Sequence, residues 1–310
     1  MDERTIDLPD ALADRTGSPS MALRPMRRPE LDVLVDWAAG EGWNPGLDDA
    51  DVFWDTDPDG FVAADIGGEL VGGGSIVAYG TEYGFMGLFI VRPDLRHAGL
   101  GRSLWHARKT MLRDRLDATA AIELDGVFEM QPFYAKGGFA FQHRDLRFAG
   151  RAATTSAAGA WAMTRAGTDI VELTDVPFAA VADYDRRHFP AERNVFLERW
   201  IARPGGHALG AVDDAGLRGF AVSRPCRVGH KIGPLFADDA DIADTLFTEL
   251  CARVTGDEVF IDAPECNPAA VGLALRHGMT EVFGCARMTL GRPVALTWDE
   301  IYGVTTYELG

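Results

Sequence analysis

The sequence predicts an α/β protein built from two domains. A chain of 310 residues is longer than one ordinary hydrophobic core supports. Apolar residues make up 47% and charged residues 25%, which is typical of a globular chain and excludes a disordered one. Segments with helical apolar spacing alternate with strand-like segments. Their order in the first half returns in the second half, which indicates a divergent internal duplication.

In the first half, the segment 29–39 carries its apolar residues at helical spacing. Two strands flank the turn at Gly67 and Gly68. The nearly continuous apolar run 85–91 is typical of a central strand buried on both faces. In chain order, the predicted elements are strand 21–25, helix 29–39, strands 61–65, 70–79 and 85–91, helix 100–116, strand 119–124, helix 131–136 and strand 139–148.

The second half is assigned by the same patterns. Its central strand is expected at 228–236, before a helix with an acidic start. In chain order, the predicted elements are strand 169–173, helices 177–188 and 191–202, strands 206–212, 216–223 and 228–236, helix 241–254, strand 258–262, helix 267–277 and strand 282–290.

Two segments divide the chain. Residues 1–20 lack apolar periodicity and are expected to form a mobile tail. Small and hydroxyl residues dominate 149–167, which is typical of a linker. We therefore predict a first domain at 21–150, a linker at 151–167 and a second domain at 168–310.

Composition excludes several functional classes. Asp and Glu outnumber Lys and Arg by 47 to 30, and a net charge of −17 argues against nucleic-acid binding. The sequence contains no apolar run of membrane-spanning length and no basic, apolar secretion signal at its start, so a cytoplasmic protein is expected. No metal site is predicted, because the cysteines lack ligand spacing; all four lie in the C-terminal half and are expected to be reduced thiols: Cys226, Cys251, Cys266 and Cys285.

A glycine loop joins the predicted central strand to the next helix. Gly99 and Gly101 leave room for close approach of an anion, and the start of the helix offers backbone N–H groups to it. Arg96 and Arg102 add positive charge, so a pyrophosphate is the expected ligand. The three glycines of a dinucleotide-binding fingerprint are absent, and the spacing of a P-loop fails as well.

The loop resembles motif A of the GNAT superfamily of acyl-CoA-dependent N-acyltransferases. The matching residues are Arg96-His97-Ala98-Gly99-Leu100-Gly101. A downstream segment is also similar to the superfamily, Phe133-Tyr134-Ala135-Lys136-Gly137-Gly138-Phe139. The resemblance covers the first half, and the second half resembles a degenerate copy. It implies two GNAT-like domains, each with a mixed, mostly antiparallel twisted sheet flanked by helices.

The resemblance implies acetyl-CoA as co-substrate, with its pyrophosphate on the loop. Tyr134 matches the tyrosine that commonly protonates the departing thiolate, although a half-buried packing role is the alternative. The residues expected to bind the cofactor are Phe89, Ile90, Val91, Arg96, His97, Ala98, Gly99, Leu100, Gly101, Arg102, Ser103, Phe133 and Lys136.

The general base and the acceptor site are less defined. Many GNAT relatives carry a Glu on the central strand, but Phe85-Met86-Gly87-Leu88 offers no carboxylate here. Glu82, just before that strand, is the candidate base. The acids in the loop after the first helix could also act through water or attract a cationic amine, namely Glu41, Asp48, Asp49 and Asp51. A solvated acid is the alternative for each of these residues. Candidate acceptor contacts are aromatic and acidic residues that could equally be structural, namely Trp43, Asn44, Asp48, Trp54, Asp262 and Glu265.

The second half is not expected to bind CoA. Asp238, Asp239 and Asp241 stand where the glycines would be, and they are interpreted as residues that start a helix. The predicted activity is transfer of an acetyl group by direct attack of a primary amine, either a small cationic metabolite or an exposed lysine or N-terminus. A non-catalytic acyl-CoA sensor is the alternative, and transfer of a longer acyl group is a third possibility. The sequence also leaves a homodimer open.

Overall fold

The computed structural model describes residues 3–8, 10–152 and 168–310. It has mixed α/β architecture, with twisted, mostly antiparallel sheets flanked by helices, which confirms the predicted fold class. The helices are α1 Asp10–Thr16, α2 Arg28–Gly40, α3 Asp49–Thr56, α4 Leu100–Arg113, α5 Gln131–Lys136, α6 Phe178–Asp185, α7 Asn194–Ile201, α8 Ala240–Arg253 and α9 Pro268–Arg276. The strands are β1 Arg4–Asp7, β2 Ser20–Pro25, β3 Phe61–Ile66, β4 Glu69–Ser75, β5 Val77–Tyr79, β6 Tyr83–Phe85, β7 Ile90–Val91, β8 Ala121–Val127, β9 Ala140–Arg151, β10 Asp169–Glu172, β11 His207–Asp213, β12 Gly216–Pro225, β13 His230–Ala237, β14 Glu258–Pro264, β15 Thr280–Leu290 and β16 Ile301–Gly303.

The expectation of a mobile tail at 1–20 is wrong for the residues that the structure describes. Strand β1 pairs antiparallel with β2, and Leu12 of α1 is buried in a core cluster that also contains Leu104 and Trp105 of α4. The apolar residues Ile6, Leu8 and Leu12 are too widely spaced to reveal a pattern, but Leu12 belongs to a core cluster, and Ile6 and Leu8 pack against it. Of the predicted linker 151–167, residues 153–167 lie outside the described residues, and Arg151 ends β9.

The strands form two sheets. The smaller sheet has the order β1-β2-β3-β4-β7, and all of its pairs are antiparallel. The larger sheet has the order β10-β11-β12-β13-β14-β9-β15-β8-β6-β5, with β16 pairing to β13. This larger sheet crosses the predicted domain boundary, so the division near residue 150 separates the sequence but not the sheet.

The two halves exchange their last long strands. Strand β9 ends the first half, yet it lies between β14 and β15 of the second half. Strand β15 ends the second half, yet it lies between β9 and β8 of the first. Each half therefore completes its sheet with backbone hydrogen bonds from the other, and the halves cannot separate without breaking these ladders.

Buried ion pairs fix the register of the exchanged strands. Arg147 of β9 lies directly opposite Asp262 of β14, and its Nε and Nη2 donate to the two carboxylate oxygens at 2.6 and 2.8 Å. Arg287 of β15 lies opposite Asp125 of β8 and donates to it at 2.7 and 2.9 Å. A slip of one residue would turn these charges to the other face of the sheet, away from their partners.

The apolar run 85–91 is not one strand, contrary to the sequence prediction. Tyr83–Phe85 pairs parallel with β8 in the larger sheet, whereas Ile90–Val91 pairs antiparallel with β4 in the smaller one. Leu88 lies between them with a left-handed φ of 47°. The two sheets therefore part at this point and leave a cleft between β7 and β8.

The corresponding cleft in the second half is filled by the chain itself. Strands β13 and β14 pair only through residues 230–232 of β13, after which β16 takes over the pairing with β13. The Val304 N–H then donates to the Asp262 carbonyl on the β14 side at 2.9 Å. A side chain at Gly233 would meet the Val304 carbonyl at 2.4 Å, so the central strand accommodates this segment closely.

Removing one member of a buried cross-strand ion pair should destabilise the protein more than removing an exposed one. Arg147→Ala leaves Asp262 buried without its partner, which we expect to lower the free energy of unfolding by about 3–5 kcal/mol. The control is Arg144→Ala on the same strand, because Arg144 pairs with Glu265 and is half exposed, for an expected loss of at most about 1 kcal/mol. Urea unfolding followed by circular dichroism measures both, and equal losses would contradict the role given to Arg147.

Candidate active site

A cavity of about 360 Å³ occupies the cleft between β7 and β8. It runs from the glycine loop, past Leu88, to aromatic side chains of the second half. Its lining residues are Glu41, Trp43, Met86, Gly87, Leu88, Phe89, Ile90, Val91, Arg96, His97, Gly101, Trp105, Arg108, Leu124, Asp125, Gly126, Val127, Met130, Tyr134, Phe283, Cys285, Tyr307 and Glu308.

The glycine loop leaves a row of backbone donors at one end of the cavity. Gly99 precedes α4 with φ 88°, a conformation that favours glycine, and His97 also has a positive φ of 66°. Within the described part of the chain, the N–H groups from His97 to Gly101 donate no hydrogen bond. With the positive end of the α4 dipole behind them, these groups suit an anion.

The structure brings most of the predicted cofactor residues to this end. Phe89, Ile90, Val91, Arg96, His97 and Gly101 line the cavity, and Ala98, Gly99, Arg102, Phe133 and Lys136 line adjoining surface grooves. Leu100 is buried in the core, so only its backbone is at the loop, and the Ser103 N–H donates to the Gly99 carbonyl at 3.3 Å.

Arg96 is not a free cation for a phosphate. Its Nη2 donates to Glu41 Oε1 at 2.5 Å, and its Nε donates to the Val91 carbonyl at 2.8 Å. The side chain therefore joins the loop to the end of α2 and closes one side of the cavity. Arg102 and Lys136 remain beside the adjoining groove.

Tyr134 projects from α5 into the cavity. The helix places its ring over Gly126 of β8, where a Cβ atom would lie 2.3 Å from the ring. Burial raises the pKa of Tyr134 to about 12. The phenol therefore remains protonated, and able to donate a proton, throughout the neutral range.

Arg108 is a buried cation that sequence reasoning missed. It lies on the apolar stripe of α4, and its Nη2 donates to the carbonyl oxygens of Ser75 and Gly87 where the two sheets part. Its Nε and Nη1 have no hydrogen-bond partner among the described residues, and the side chain lines the cavity. Burial lowers the pKa of Arg108 to about 9, so the group still carries its charge at neutral pH.

The second half contributes part of the cavity wall. Phe283 and Cys285 come from the exchanged strand β15, and Tyr307 and Glu308 from the segment that follows β16. The cysteines all lie in the C-terminal half of the sequence, yet the exchange places Cys285 at the cavity. Burial raises the pKa of the Cys285 thiol well above its usual range, which disfavours the thiolate that a covalent mechanism needs.

The structure does not bring Glu82 to the cavity. This residue lies on the exposed turn between β5 and β6, because the chain reverses there before it enters the larger sheet. It is absent from the cavity lining, so its position does not support the predicted role as base.

Of the predicted acceptor residues, only Trp43 lines the cavity. Asn44 instead joins the halves, because its side chain exchanges two hydrogen bonds of 2.9 Å with the backbone of Val228. Asp48 precedes α3, and Trp54 stacks on Phe61 with ring centroids 6.0 Å apart.

The two predicted acceptor acids of the second half are paired with arginines. Asp262 is held by Arg147 in the buried ion pair described above, and Glu265 pairs with Arg144 at the surface. Asn267 caps α9 by accepting from Ala269 N and Ala270 N, and Asp239 caps α8 in the same way. The segment 262–267 therefore anchors secondary structure.

Across residues 3–8, 10–152 and 168–310, no group of three or more His, Cys, Asp and Glu side chains is arranged to hold a metal ion. Within the same ranges, the helices are too short or too polar to span a membrane.

Comparison with known protein families gives one match in each half. Residues 28–139 match the model described as "Acetyltransferase (GNAT) family", and residues 181–303 match the model described as "Acetyltransferase (GNAT) domain". Together the two matches cover most of the chain.

Individual proteins are similar over nearly the full length. A holothin acyltransferase from Pseudoalteromonas sp. (strain SANK 73390) is 27% identical over 288 residues, 93% of this chain and 94% of that protein. An acetyltransferase structure from Pyrococcus horikoshii aligns with TM-score 0.76 and 23% identity over 94% of this chain and 96% of the other. A tandem GNAT protein from the clavulanic acid biosynthesis pathway aligns with TM-score 0.60 and 16% identity over 88% of this chain and all of the other. These two structures show the same fold.

A side chain at Gly87 should displace the segment that carries Glu308. A Cβ atom there would lie 2.0 Å from the Glu308 carbonyl oxygen. Both partners are backbone, so the contact cannot be relieved by rotation of a side chain. We expect Gly87→Ala to lower the free energy of unfolding by about 1–3 kcal/mol and to speed chymotryptic cleavage near Tyr307. The control is Gly272→Ala in α9, where the nearest atom is 3.4 Å away on a flexible arginine. Unchanged stability of the Gly87 variant would contradict the close packing.

Proposed function

Because this chain belongs to the GNAT family of acetyltransferases and carries two of its domains, we propose that it transfers an acetyl group from acetyl-CoA to a primary amine. The observation that carries the proposal is the cavity that runs from the glycine loop to Tyr134. It combines an anion site, an apolar passage and a proton donor in one continuous space. The name of the Pseudoalteromonas relative supports acyl transfer as the reaction class.

We assign the pyrophosphate of acetyl-CoA to the loop from His97 to Arg102. The free N–H groups and the start of α4 would receive its negative charge. The thioester arm would then enter the cleft along Phe89 and Leu88, where the apolar lining excludes water. The thioester would come to lie between Leu88 and the phenol of Tyr134.

The reaction requires no covalent enzyme intermediate. The amine attacks the thioester carbonyl carbon, and the tetrahedral intermediate collapses as the C–S bond breaks. Tyr134 donates its phenolic proton to the departing sulfur, which makes CoA the better leaving group. Arg108 binds the carbonyl oxygens of Ser75 and Gly87 at the point where the two sheets separate, and thereby holds the cleft open.

The acceptor would enter from the side of the cavity opposite the loop. There Trp43, Phe283 and Tyr307 supply aromatic surface, and Glu41 and Glu308 supply carboxylates. Such walls suit a small cationic amine with an apolar body. A lysine side chain or an N-terminus of a peptide would need to reach the same point between the two halves.

The second half would bind no CoA, because β16 occupies its cleft and Asp239 caps the helix where the pyrophosphate would lie. We therefore expect one acetyl-CoA per chain. Isothermal titration calorimetry should give a stoichiometry near one, and Gly99→Glu should abolish binding because it adds a strained backbone and a negative charge to the anion site.

The matched control is Gly278→Glu after α9. Gly278 also has a positive φ, of 70°, and open space around it, but it does not line the cavity. The Gly278→Glu variant should bind acetyl-CoA with the same Kd as the wild type. Two sites per chain would contradict the closed second cleft, and no binding by the wild type would refute the proposed function.

Replacing Tyr134 with Phe removes the proton donor without changing the ring. We expect kcat to fall by roughly 100-fold or more while the Kd for acetyl-CoA stays the same. Release of free CoA with a panel of aliphatic and aromatic primary amines measures turnover. Tyr302→Phe, in the second half and outside the cavity, is the control that should leave kcat unchanged.

The alternative is an acyl-CoA sensor, and the same experiment separates it from an enzyme. A sensor would bind acetyl-CoA but turn over no amine in the wild type. Unchanged turnover of Tyr134→Phe would instead show an enzyme that uses another acid.

A further inference from the structure

The structure assigns the role of general base to Glu308, a residue of the second half that lines the cavity of the first; this inference rests on the proposed function. An amine bound as an ammonium has no lone pair, so some group must take its proton before attack. The segment that enters the cleft, Phe85-Met86-Gly87-Leu88, offers no carboxylate.

The segment that contains Glu308 occupies the place that a side chain at position 87 would take. Gly87 has no Cβ, and a Cβ atom at this position would lie 2.0 Å from the carbonyl oxygen of Glu308. A glycine here therefore lets the main chain of Glu308 lie directly against the segment that enters the cleft. This contact brings Glu308 to the wall of the cavity, where the segment itself has no carboxylate.

Hydrogen bonds hold this segment on both sides of Glu308. Ser75 Oγ donates to the Glu308 carbonyl at 3.1 Å, and Tyr79 Oη donates to the Leu309 carbonyl at 2.9 Å. Tyr307 Oη donates to the Asp145 carbonyl at 3.1 Å. Only 4% of Glu308 is exposed, so the carboxylate is fixed in a largely dry site at the cavity wall.

Glu308 differs from the other carboxylates of the cavity in lacking a basic partner. Glu41 is paired with Arg96, and Asp125 receives two hydrogen bonds from Arg287. The Glu308 carboxylate accepts a hydrogen bond from Thr306 Oγ, and among the described residues no Lys, Arg or His forms an ion pair with it. It therefore keeps lone pairs for a proton that arrives from the cavity.

Three buried cations act on this carboxylate through their charge without forming an ion pair with it, namely Arg147 of β9, Arg224 of β12 and Lys231 of β13. Three further charged residues line the same cavity, namely Asp125 of β8, Glu41 at the end of α2 and Arg108 of α4. Asp262 of β14 is held by Arg147.

Acetyl transfer by this route releases one proton in each turnover. Glu308 takes one proton from the ammonium and passes it to solvent, and the free amine forms the C–N bond. The C–S bond then breaks with its electrons on sulfur, and Tyr134 protonates that sulfur. The second N–H proton, now acidic, returns through water to the Tyr134 phenolate. The products are the amide, free CoA and the proton that Glu308 passed to solvent.

The test compares Glu308→Gln with wild type across pH, using the most active amine of the panel described above. We expect kcat/KM at pH 7 to fall by roughly 100-fold or more, with the Kd for acetyl-CoA unchanged. The deficit should shrink as pH approaches the pKa of the acceptor amine, because free amine then needs no base. A purely structural role would lower the rate by the same factor at every pH.

The test includes one control variant and one second substitution of Glu308. Glu265→Gln removes an exposed carboxylate of the same half and should leave the pH profile unchanged. If Glu308→Gln does not fold, Glu308→Asp keeps the acid but withdraws it by one methylene, and should lower kcat while retaining the wild-type shape of the profile.

Failure of this inference differs from failure of the proposed function. If the wild type acetylates an amine but Glu308→Gln loses no activity, the role of Glu308 alone is overturned. The same holds if Glu308→Gln loses activity by the same factor at every pH. With Glu308→Asp, an unchanged kcat would do the same. Failure of the wild type to bind acetyl-CoA or to acetylate any amine would overturn the proposed function and this inference together.

Discussion

The exchange of strands β9 and β15 is the constraint on which the rest of the structure depends. Neither half completes its own sheet, because each long final strand lies between strands of the other half. The buried pairs Arg147–Asp262 and Arg287–Asp125 hold this arrangement in one register. Buried ion pairs add little net stability compared with apolar residues, but they make a wrong register costly. That fixed register decides which residues of the second half reach the first.

One consequence is that the two halves, although each matches a GNAT model, have different clefts: one is open and the other is filled. In the first half, the chain passes from the larger sheet to the smaller one at Leu88, and the space beside it stays open. In the second half, β16 fills the equivalent space between β13 and β14. The same segment then continues to Gly87 and lines the open cleft with Tyr307 and Glu308. The second half thus serves the site by closing its own cleft and by supplying a wall to the other.

The electrostatics of the cavity follow from this geometry. Its charged residues come from both halves, and most are satisfied by a partner, as Arg96 is by Glu41 and Asp125 is by Arg287. The exceptions are Arg108, with two nitrogens lacking hydrogen-bond partners among the described residues, and Glu308, whose carboxylate meets only a hydroxyl there. Groups without charged partners are the ones that can respond to a substrate, because their interactions are not already used within the protein.

The sequence by itself determined the order of the elements and the anion loop. Apolar period and turn residues are local, so most predicted helices and strands have a counterpart, although the run 85–91 divides between two sheets. The motif around Gly99 and Gly101 lies at one end of the cavity. Only the tertiary structure decided the opposite end. Glu82 is close to the cleft in sequence yet lies outside it, and Asp262 is held in an ion pair with Arg147, whereas Glu308 enters the cleft from the other half. Strand exchange and the path of the last ten residues are long-range choices of pairing, and no local pattern encodes them.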